Sequence, residues 1–374
     1  MRKIYLDNAA TTPLRKEVIE TMLKVLEEDF GNPSSTHSFG RSAKTTIESA
    51  RKTIANHLNC SSQEILFTSS ATEATNWILL ELVKNHGIKR IITSKIEHHA
   101  TLYVCLKLAK EYAIELDFVP VLPSGNLDLS YLEKTIEKKE CKTLVSLMHV
   151  NNEIGTVLNL EEVSLLCKKN QVLFHCDTVQ TMGKTKIDLQ QINLDFAVAS
   201  AHKFHGPKGI GFAYISKNIS LQPMLVGGEQ EKGLRAGTEA THQIAGMAKA
   251  FELAHIELDE HEKYISALKN YCITELEQNF EGIKINGDAT FYNILNISLP
   301  FSEDKAAMLL FHLDLKGIAV SRGSACQSGS PKPSHVLAEF LTEEQLKKPS
   351  IRISFSHFNT KEDIDGFIEA LKNI

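Results

Sequence analysis

No apolar run in this 374-residue chain approaches the ~20 residues that span a bilayer. The opening Met1-Arg2-Lys3-Ile4-Tyr5-Leu6-Asp7-Asn8 has no apolar core of a signal peptide. A helical membrane protein is therefore excluded and export is not expected. Charge of one sign is also missing: 41 basic residues face 46 acidic ones, interspersed, for a net −5. Neither a nucleic-acid patch nor a membrane-surface patch stands out. Cysteine is scarce and unpatterned. Cys60, Cys105, Cys141, Cys167, Cys176, Cys272 and Cys326 are odd in number and never fall as Cys-x-x-Cys. That disfavours a disulfide framework and a zinc site, and favours the reducing cytoplasm. Internal repeats and low-complexity segments are absent too.

What is present is a globular composition, 43% hydrophobic and 23% charged, long enough for a sizeable core and two domains. Strand-like apolar runs at 64–68, 90–94, 115–121, 143–150, 172–177, 195–200 and 211–216 alternate with amphipathic helical stretches at 71–84, 99–112 and 160–169. This alternation predicts an α/β fold with an open, mostly parallel sheet and helices on both faces. The last strand, reached through a short glycine turn, is expected to run antiparallel. Residues 241–280 read as one long helix linking two domains. Short strands at 293–299, 317–320 and 350–355 and a terminal helix near 361–372 follow.

In open α/β sheets, ligands bind beyond the carboxyl ends of the strands. Glu97-His98-His99, Asn151-Asn152-Glu153-Ile154-Gly155, Asp177-Thr178-Val179-Gln180 and Ser200-Ala201-His202-Lys203 each follow a predicted strand. Any one could be a capped loop; four at one edge describe a site. Lys203 ends the apolar run Phe196-Ala197-Val198-Ala199 and precedes a glycine-rich turn. Partial desolvation and nearby cations lower an amine's pKa there and ready it to condense with a carbonyl; the plain alternative is a solvated surface lysine. Asp177, at the end of an apolar strand, needs a cationic partner, either a protonated pyridine nitrogen or an Arg or Lys. Gln180 could donate to a phenolate oxygen of the same ring, and His98 could stack on its face and shuttle protons. His99 would point elsewhere if a helix starts there.

Ser69-Ser70-Ala71-Thr72-Glu73 opens a helix, with Ser70 and Glu73 spaced as a capping box. The free amides and dipole of that turn also suit a phosphate. The glycine-rich stretch 227–238 is either a flexible connection or a phosphate wrap serving a neighbouring subunit. Ser321-Arg322-Gly323-Ser324-Ala325-Cys326-Gln327-Ser328-Gly329-Ser330 sets one cysteine among serine and glycine, which suits a thiolate that visits a site and leaves it. Arg352, inside the strand-like Ser350-Ile351-Arg352-Ile353-Ser354, is either a clamp for a substrate carboxylate or half of a structural ion pair.

Together with Tyr5-Leu6-Asp7-Asn8-Ala9-Ala10-Thr11-Thr12-Pro13 and Phe30-Gly31-Asn32-Pro33-Ser34-Ser35, these motifs resemble the pyridoxal-phosphate-dependent cysteine desulfurases. These form the NifS/IscS-like branch of the class-V aminotransferase family, and the likeness in order and spacing covers nearly the whole chain. The resemblance implies a transferase fold of type I, usually a homodimer. A large cofactor-binding domain would span 14–258, and a smaller α+β domain, carrying the cysteine loop, would join 1–13 to 259–374. It implies L-cysteine as substrate and L-alanine as product. Sulfur would pass as a persulfide on Cys326 to a protein acceptor such as an iron–sulfur scaffold, with tRNA thiolation a further destination.

Residue by residue, Lys203 resembles the Schiff-base lysine, Asp177 the pyridine-nitrogen partner and Gln180 the donor to the ring oxygen. His98 resembles the stacked, catalytic histidine. Ala71, Thr72, Ser200, His202 and Asn152 resemble phosphate or other cofactor contacts, and Thr238 the contact to the partner subunit's phosphate. Arg352 and Asn152 fit the substrate site, and Cys326 fits the sulfur-accepting nucleophile. No resident metal is implied, although Cys326 could ligate a cluster transiently during delivery. Departures from the pattern are Ala201 for a usual glycine, Thr178 for an alanine expected beneath the ring, and Ser70 for a glycine of the phosphate turn. All three are expected to add bulk at the cofactor. Arg322 places a charge where many relatives have serine. The chain ends at Ile374, whereas family members that dock a cluster scaffold often carry a further C-terminal extension.

Two competing readings are a selenocysteine lyase or other fold-type-I aminotransferase, and a non-catalytic binding protein. Simple transamination needs no nucleophilic thiol, so the Cys326 loop speaks against an aminotransferase. Retention of Lys203, Asp177, His98, Arg352 and Cys326 together speaks against a non-catalytic protein.

Overall fold

Thr143–Met148, Phe196–Ser200 and Gly211–Ile215 are buried at every residue, as strands must be when helices cover both faces of their sheet. The computed structural model describes residues 2–138, 141–322 and 334–374. In chain order come β1 (Ile4–Tyr5), α1 (Lys16–Glu28), α2 (Ser38–His57), β2 (Ile65–Thr68), α3 (Ala71–Lys84), β3 (Arg90–Thr93), α4 (His99–Tyr112) and β4 (Glu115–Phe118). Then follow α5 (Leu129–Ile136), β5 (Thr143–Met148), α6 (Leu160–Asn170), β6 (Leu173–Asp177), β7 (Phe196–Ser200) and β8 (Gly211–Ile215). The remainder is α7 (Thr241–Ile256), α8 (Leu258–Asn279), β9 (Lys284–Ile285), β10 (Ile294–Ser298), α9 (Glu303–Leu315), β11 (Ile318–Ala319), α10 (Glu343–Leu346), β12 (Ser350–Ser354) and α11 (Lys361–Lys372).

The large sheet has the order β2-β8-β7-β6-β5-β3-β4. Only β8 is reversed, pairing antiparallel with both β2 and β7. Because it is reversed between them, β2 runs the same way as β7, β6, β5 and β3, and all five carboxyl ends meet at one edge. Gly211 makes this edge possible. A Cβ there would lie 2.2 Å from the Ala199 carbonyl oxygen and 3.1 Å from the Ser70 backbone, so any side chain would push the start of α3 away. One face of the sheet packs Phe67, Val145, Phe174 and Phe212 against Phe251; the other packs Leu66, Leu144 and Phe196 against Trp77 and Ile78.

A second core gathers Leu6, Leu268, Leu295, Ile351 and Phe367. It lies on the antiparallel sheet β12-β10-β9 and includes the β1–β11 pair, which is parallel. The expected single helix over 241–280 is two helices. Glu257 (φ −100°, ψ 9°) interrupts them, and its carboxylate is held by Arg15 (Nη2–Oε1 2.9 Å) and His261 (3.2 Å). The first of the two packs on α1 and α2, the second on α11. The expected strand at 115–121 stops at Phe118, just before Pro120, which has no N–H to give a ladder.

The glycine-rich stretch at 227–238 is anchored rather than a free connection. Its Glu231 is 4% exposed and meets Arg51 in two parallel hydrogen bonds of 2.8 Å, while the Phe67 amide donates to Oε2 at 2.8 Å. The guanidinium also lies over the Phe67 ring at 4.4 Å. Glu231→Gln would leave the buried Arg51 charge with only Glu48 (3.3 Å) as its counter-ion, an expected loss of about 3 kcal/mol. The urea midpoint, at unchanged slope, measures it; a midpoint equal to that of the parent would refute the anchoring role.

Candidate active site

The shared edge of the sheet encloses a cavity of about 220 Å³. Lys203, Asp177, Gln180, His98, Asn152 and Arg352 all line it, as do Ala71, Thr72, Ser200 and His202. Local structure aims each one. The strand β6 ends in Asp177, whose Oδ1 accepts the Val179 amide at 3.0 Å in a turn. His98 caps α4, its Nδ1 accepting the Ala100 amide at 3.1 Å. That assigns the ring proton to Nε2 in the neutral form. Ser200 ends β7 and accepts the Ala71 amide at 2.9 Å.

The N-terminal segment closes the cavity from outside the sheet. The Ala9 carbonyl accepts from Lys203 Nζ at 2.6 Å and from Gln180 Nε2 at 3.0 Å. The Thr12 amide and hydroxyl both donate to the His202 carbonyl at 2.9 Å, pinning the lysine turn. Arg352 is 1% exposed. Its Nη1 donates to the Asn152 carbonyl at 2.8 Å and its Nη2 pairs with Asp7 Oδ1 at 2.7 Å. The ion-pair reading of Arg352 is thus present, and the same guanidinium also lines the cavity.

Burial sets the charge states. It pushes Asp177 above the usual carboxylate range, partly offset by the Val179 amide and by Lys203. Behind the cavity, Glu97 is pushed well up by burial and by Asp177, against the Met148 amide that donates to it. His98 is pushed down to about 4 by burial, then by Lys203, His335 and Arg352. His202 is also pushed down to about 4, by burial and then Lys203. The cavity therefore offers fixed cations, neutral imidazoles and a single lining carboxylate. Such a set suits a ligand with anionic groups and one cationic or strongly donating ring atom.

The class-V aminotransferase family model matches residues 4–367. This chain belongs to that family. A cysteine desulfurase IscS from Dictyoglomus turgidum is 42% identical over 375 residues, covering 100% of this chain and 94% of the relative. A solved NifS-like protein superposes with TM-score 0.91 at 36% identity, covering 100% of this chain and 99% of that one. A structure of SspA in complex with cysteine gives TM-score 0.82 at 31% identity, over 96% and 100% of the two chains.

Against the family pattern, the three departures do not crowd the cavity. Thr178 is fully buried and donates its hydroxyl to the Val198 carbonyl at 2.8 Å, so Val179 lines the wall instead. Ala201 packs into the core, and Ser70 caps α3 at the Glu73 amide (3.2 Å). The expected capping box is half formed, because the Glu73 carboxylate turns to Ser69 and Arg235. Thr238 is exposed and does not line the cavity. His99 turns away as expected, stacking on Tyr103 with centroids 4.5 Å apart. Cys326 lies outside the described residues. Sequence reasoning passed over the Ala9 carbonyl, Asp7 and Lys184. A backbone acceptor leaves no sequence signal, although Gln180 and Lys184 do stand four apart.

Eight histidines are held neutral by burial: His98, His99, His149, His202, His255 and His357 fall to about 4, and His175 and His205 to about 3. Unfolded, they titrate near 6.5. Between about pH 6.5 and 4 the unfolded chain binds more protons, so stability is full above this window and falls as pH falls. Glu97, Asp177, Asp195 and Glu239, whose folded pKa values burial raises, act in the opposite sense but are fewer. Thermal unfolding at pH 7, 6 and 5 is expected to show a progressive drop in Tm. A Tm that stays level would mean these histidines find charge partners in the fold.

Proposed function

We propose that this protein is a pyridoxal-phosphate-dependent cysteine desulfurase that converts L-cysteine to L-alanine and retains the sulfur as a persulfide on Cys326. The observation that carries the proposal is the convergence of an amine, Lys203, and a buried carboxylate, Asp177, on one cavity with Gln180, His98 and Arg352. The residues fit the cofactor. Asp177 would meet the ring nitrogen and Gln180 the ring oxygen, while His98 would stack on the ring. Thr72, whose amide has no acceptor among the described residues, would receive the phosphate with Ser200 and His202. Pyridoxal phosphate supplies an electron sink for the substrate's α-carbon.

The chain does the rest. Lys203 would hold the cofactor, and its amine, at the cavity wall, would move the substrate's α-proton. Arg352 binds the substrate carboxylate, its guanidinium already oriented by Asp7 and the Asn152 carbonyl, and the Asn152 carboxamide, with no hydrogen-bond partner of its own among the described residues, is free to do likewise. The Cys326 thiolate attacks the substrate sulfur. An S–S bond forms as the C–S bond breaks, and protonation of the carbon releases alanine. We assign the acceptor to a protein such as an iron–sulfur scaffold, with tRNA thiolation downstream, and the location to the cytoplasm. Free thiols at all six described cysteines support a reducing compartment, and no helix among the described residues is long and apolar enough to cross a membrane. The two cores support a division into domains at 14–258 and at 1–13 with 259–374.

Alanine and sulfide release from L-cysteine in the presence of a thiol reductant tests the activity. Wild type is expected to yield both. Cys326→Ala is expected to stay yellow and lose both by roughly 10³-fold or more, the scale for deleting a nucleophile. A yellow wild type that releases no alanine would leave the fold standing and remove the sulfur chemistry.

The partner is a second copy of the chain. Ile19, Leu23 and Leu26 on α1, with Phe30 and Phe39 (rings 5.3 Å apart) and Leu225 and Val226, are exposed apolar side chains, more than scattered surface positions account for. Val226, 93% exposed, adjoins the loop that carries Thr238, which in a dimer would serve the other subunit's cavity. Leu26→Glu combined with Val226→Glu is expected to turn the dimer into monomer in sedimentation velocity and to weaken cofactor retention. A double variant that still sediments as a dimer places the interface elsewhere.

A further inference from the structure

Lys184 is 8% exposed and forms no ion pair among the described residues. A buried ammonium without a counter-ion is costly by several kcal/mol, roughly. Its surroundings are cationic. Lys203 and Arg352 act on it, and burial with these charges pushes its pKa down to about 7. The narrow cavity beside it is faced also by Arg15 and by the imidazoles of His205, His261 and His357, which burial pushes toward the neutral form, with no carboxylate among its described lining residues. Among the described residues, the one acceptor its Nζ meets is Gln180 Oε1, at 3.3 Å.

A carboxamide has nearly the same shape either way round, so its oxygen and nitrogen exchange places unless neighbours tell them apart. Gln180 has neighbours of both kinds. As an ammonium, the form that prevails below about pH 7, Lys184 can only donate, and therefore accepts only the orientation with Oε1 toward it. A carbonyl oxygen can only accept, and Ala9 takes Nε2 at 3.0 Å. The flipped amide would set N–H against N–H at one end and oxygen against oxygen at the other. With both ends fixed, the second N–H of Nε2 is left for the cavity that Gln180 lines.

We propose that Lys184 is a positioning residue that locks the Gln180 carboxamide so that it presents only an N–H donor to the ring oxygen of the cofactor. This rests on the pyridoxal-phosphate reading above. Lys184 touches neither cofactor nor substrate; it acts through Gln180. A donor at the ring oxygen stabilises the deprotonated form of the yellow chromophore and so lowers the pH at which its visible band titrates.

The test is a pH titration of that band in holoenzyme. Lys184→Met is expected to raise its midpoint by about one pH unit, the worth of one hydrogen bond to a charged group, and Gln180→Ala to raise it similarly. In the double variant the two effects should not add: Lys184→Met should move the band no further once Gln180 is gone. A Lys184→Met shift that persists in full on the Gln180→Ala background would show direct action of the charge and overturn the proposal, as would a single variant titrating with wild type. Should Lys184→Met fail to fold, Lys184→Arg, still only a donor, is expected to titrate like wild type; a shift as large as that of Gln180→Ala overturns the proposal. If wild type forms no visible band with pyridoxal phosphate, the cofactor reading fails and takes this inference with it. A band that forms but ignores Lys184 removes the inference alone.

Discussion

One main-chain oxygen, that of Ala9, holds the cavity together. It accepts from the Lys203 amine and the Gln180 amide at once, so the position of the N-terminal segment decides where both point. That segment is in turn stitched to β12. The Ala9 amide donates to Ser354 Oγ at 2.8 Å, Asn8 Nδ2 to the Ser354 carbonyl at 2.9 Å, and the Ser354 amide to the Leu6 carbonyl at 2.8 Å. The same strand carries Arg352, which reaches back to Asp7. The site is therefore built between two cores, and a few hydrogen bonds from residues 6–12 set the distance between its amine and its guanidinium.

Within that frame the electrostatics are arranged by exclusion of water. Burial first, and then the charges of Lys203 and of Arg352 or Lys184 nearby, push His98 and His202 down to about 4. A neutral His98 with its proton on Nε2 can pack flat against an aromatic ligand without adding to the cationic field. Asp177 and Glu97 share the same dry space, and two carboxylates so placed cannot both ionise easily. Glu97, with Oε2 lacking a hydrogen-bond partner among the described residues, is the better holder of a proton. Asp177, with Lys203 and an amide beside it, is the better holder of the charge. The cavity thus keeps its one anion at the end of the central strand β6, where a ligand's cation would be bound most strongly.

The sequence made the sheet legible because parallel strands buried on both faces read as uninterrupted apolar runs, and because polar clusters after each run have no packing purpose. Lys203, Asp177, Gln180, His98 and Asn152 were visible for that reason. Thr178 was misread as cofactor bulk because the resemblance, not the residue spacing, set it beneath the ring: Asp177 and Val179, two apart, share the cavity side, and Thr178 between them turns to the Val198 carbonyl. The break at Glu257 was invisible because its cause, Arg15, lies 242 positions away. Arg51 and Glu231 were passed over for the same reason, being 180 apart. The role of Ala9 leaves no trace in composition at all, since any residue supplies a carbonyl.

The remaining chemical need is a nucleophilic sulfur, and none of the described cysteines lines the cavity. Burial pushes the thiols of Cys60 and Cys105 up to about 12 and those of Cys167, Cys176 and Cys272 up as well, so these five stay protonated and unreactive at neutral pH. Cys141 sits at the opposite end of β5 from the cavity, two residues before its first residue. The described residues on either side of the segment that carries Cys326 are both fastened to the cavity wall. Before it, Ser321 exchanges backbone hydrogen bonds with Arg352 (2.7 and 3.2 Å) and donates its hydroxyl to Asp7 at 2.8 Å. After it, Ser334 donates to Glu153 at 2.5 Å and His335 bonds to the Glu97 carbonyl at 3.0 Å, beside Asn152 and His98. The described residues that flank this segment are thus tied to Arg352 on one side and to Glu153 and Glu97, the sequence neighbours of Asn152 and His98, on the other. Those five described thiols, four of them buried and Cys60 half-buried, lie outside the cavity wall.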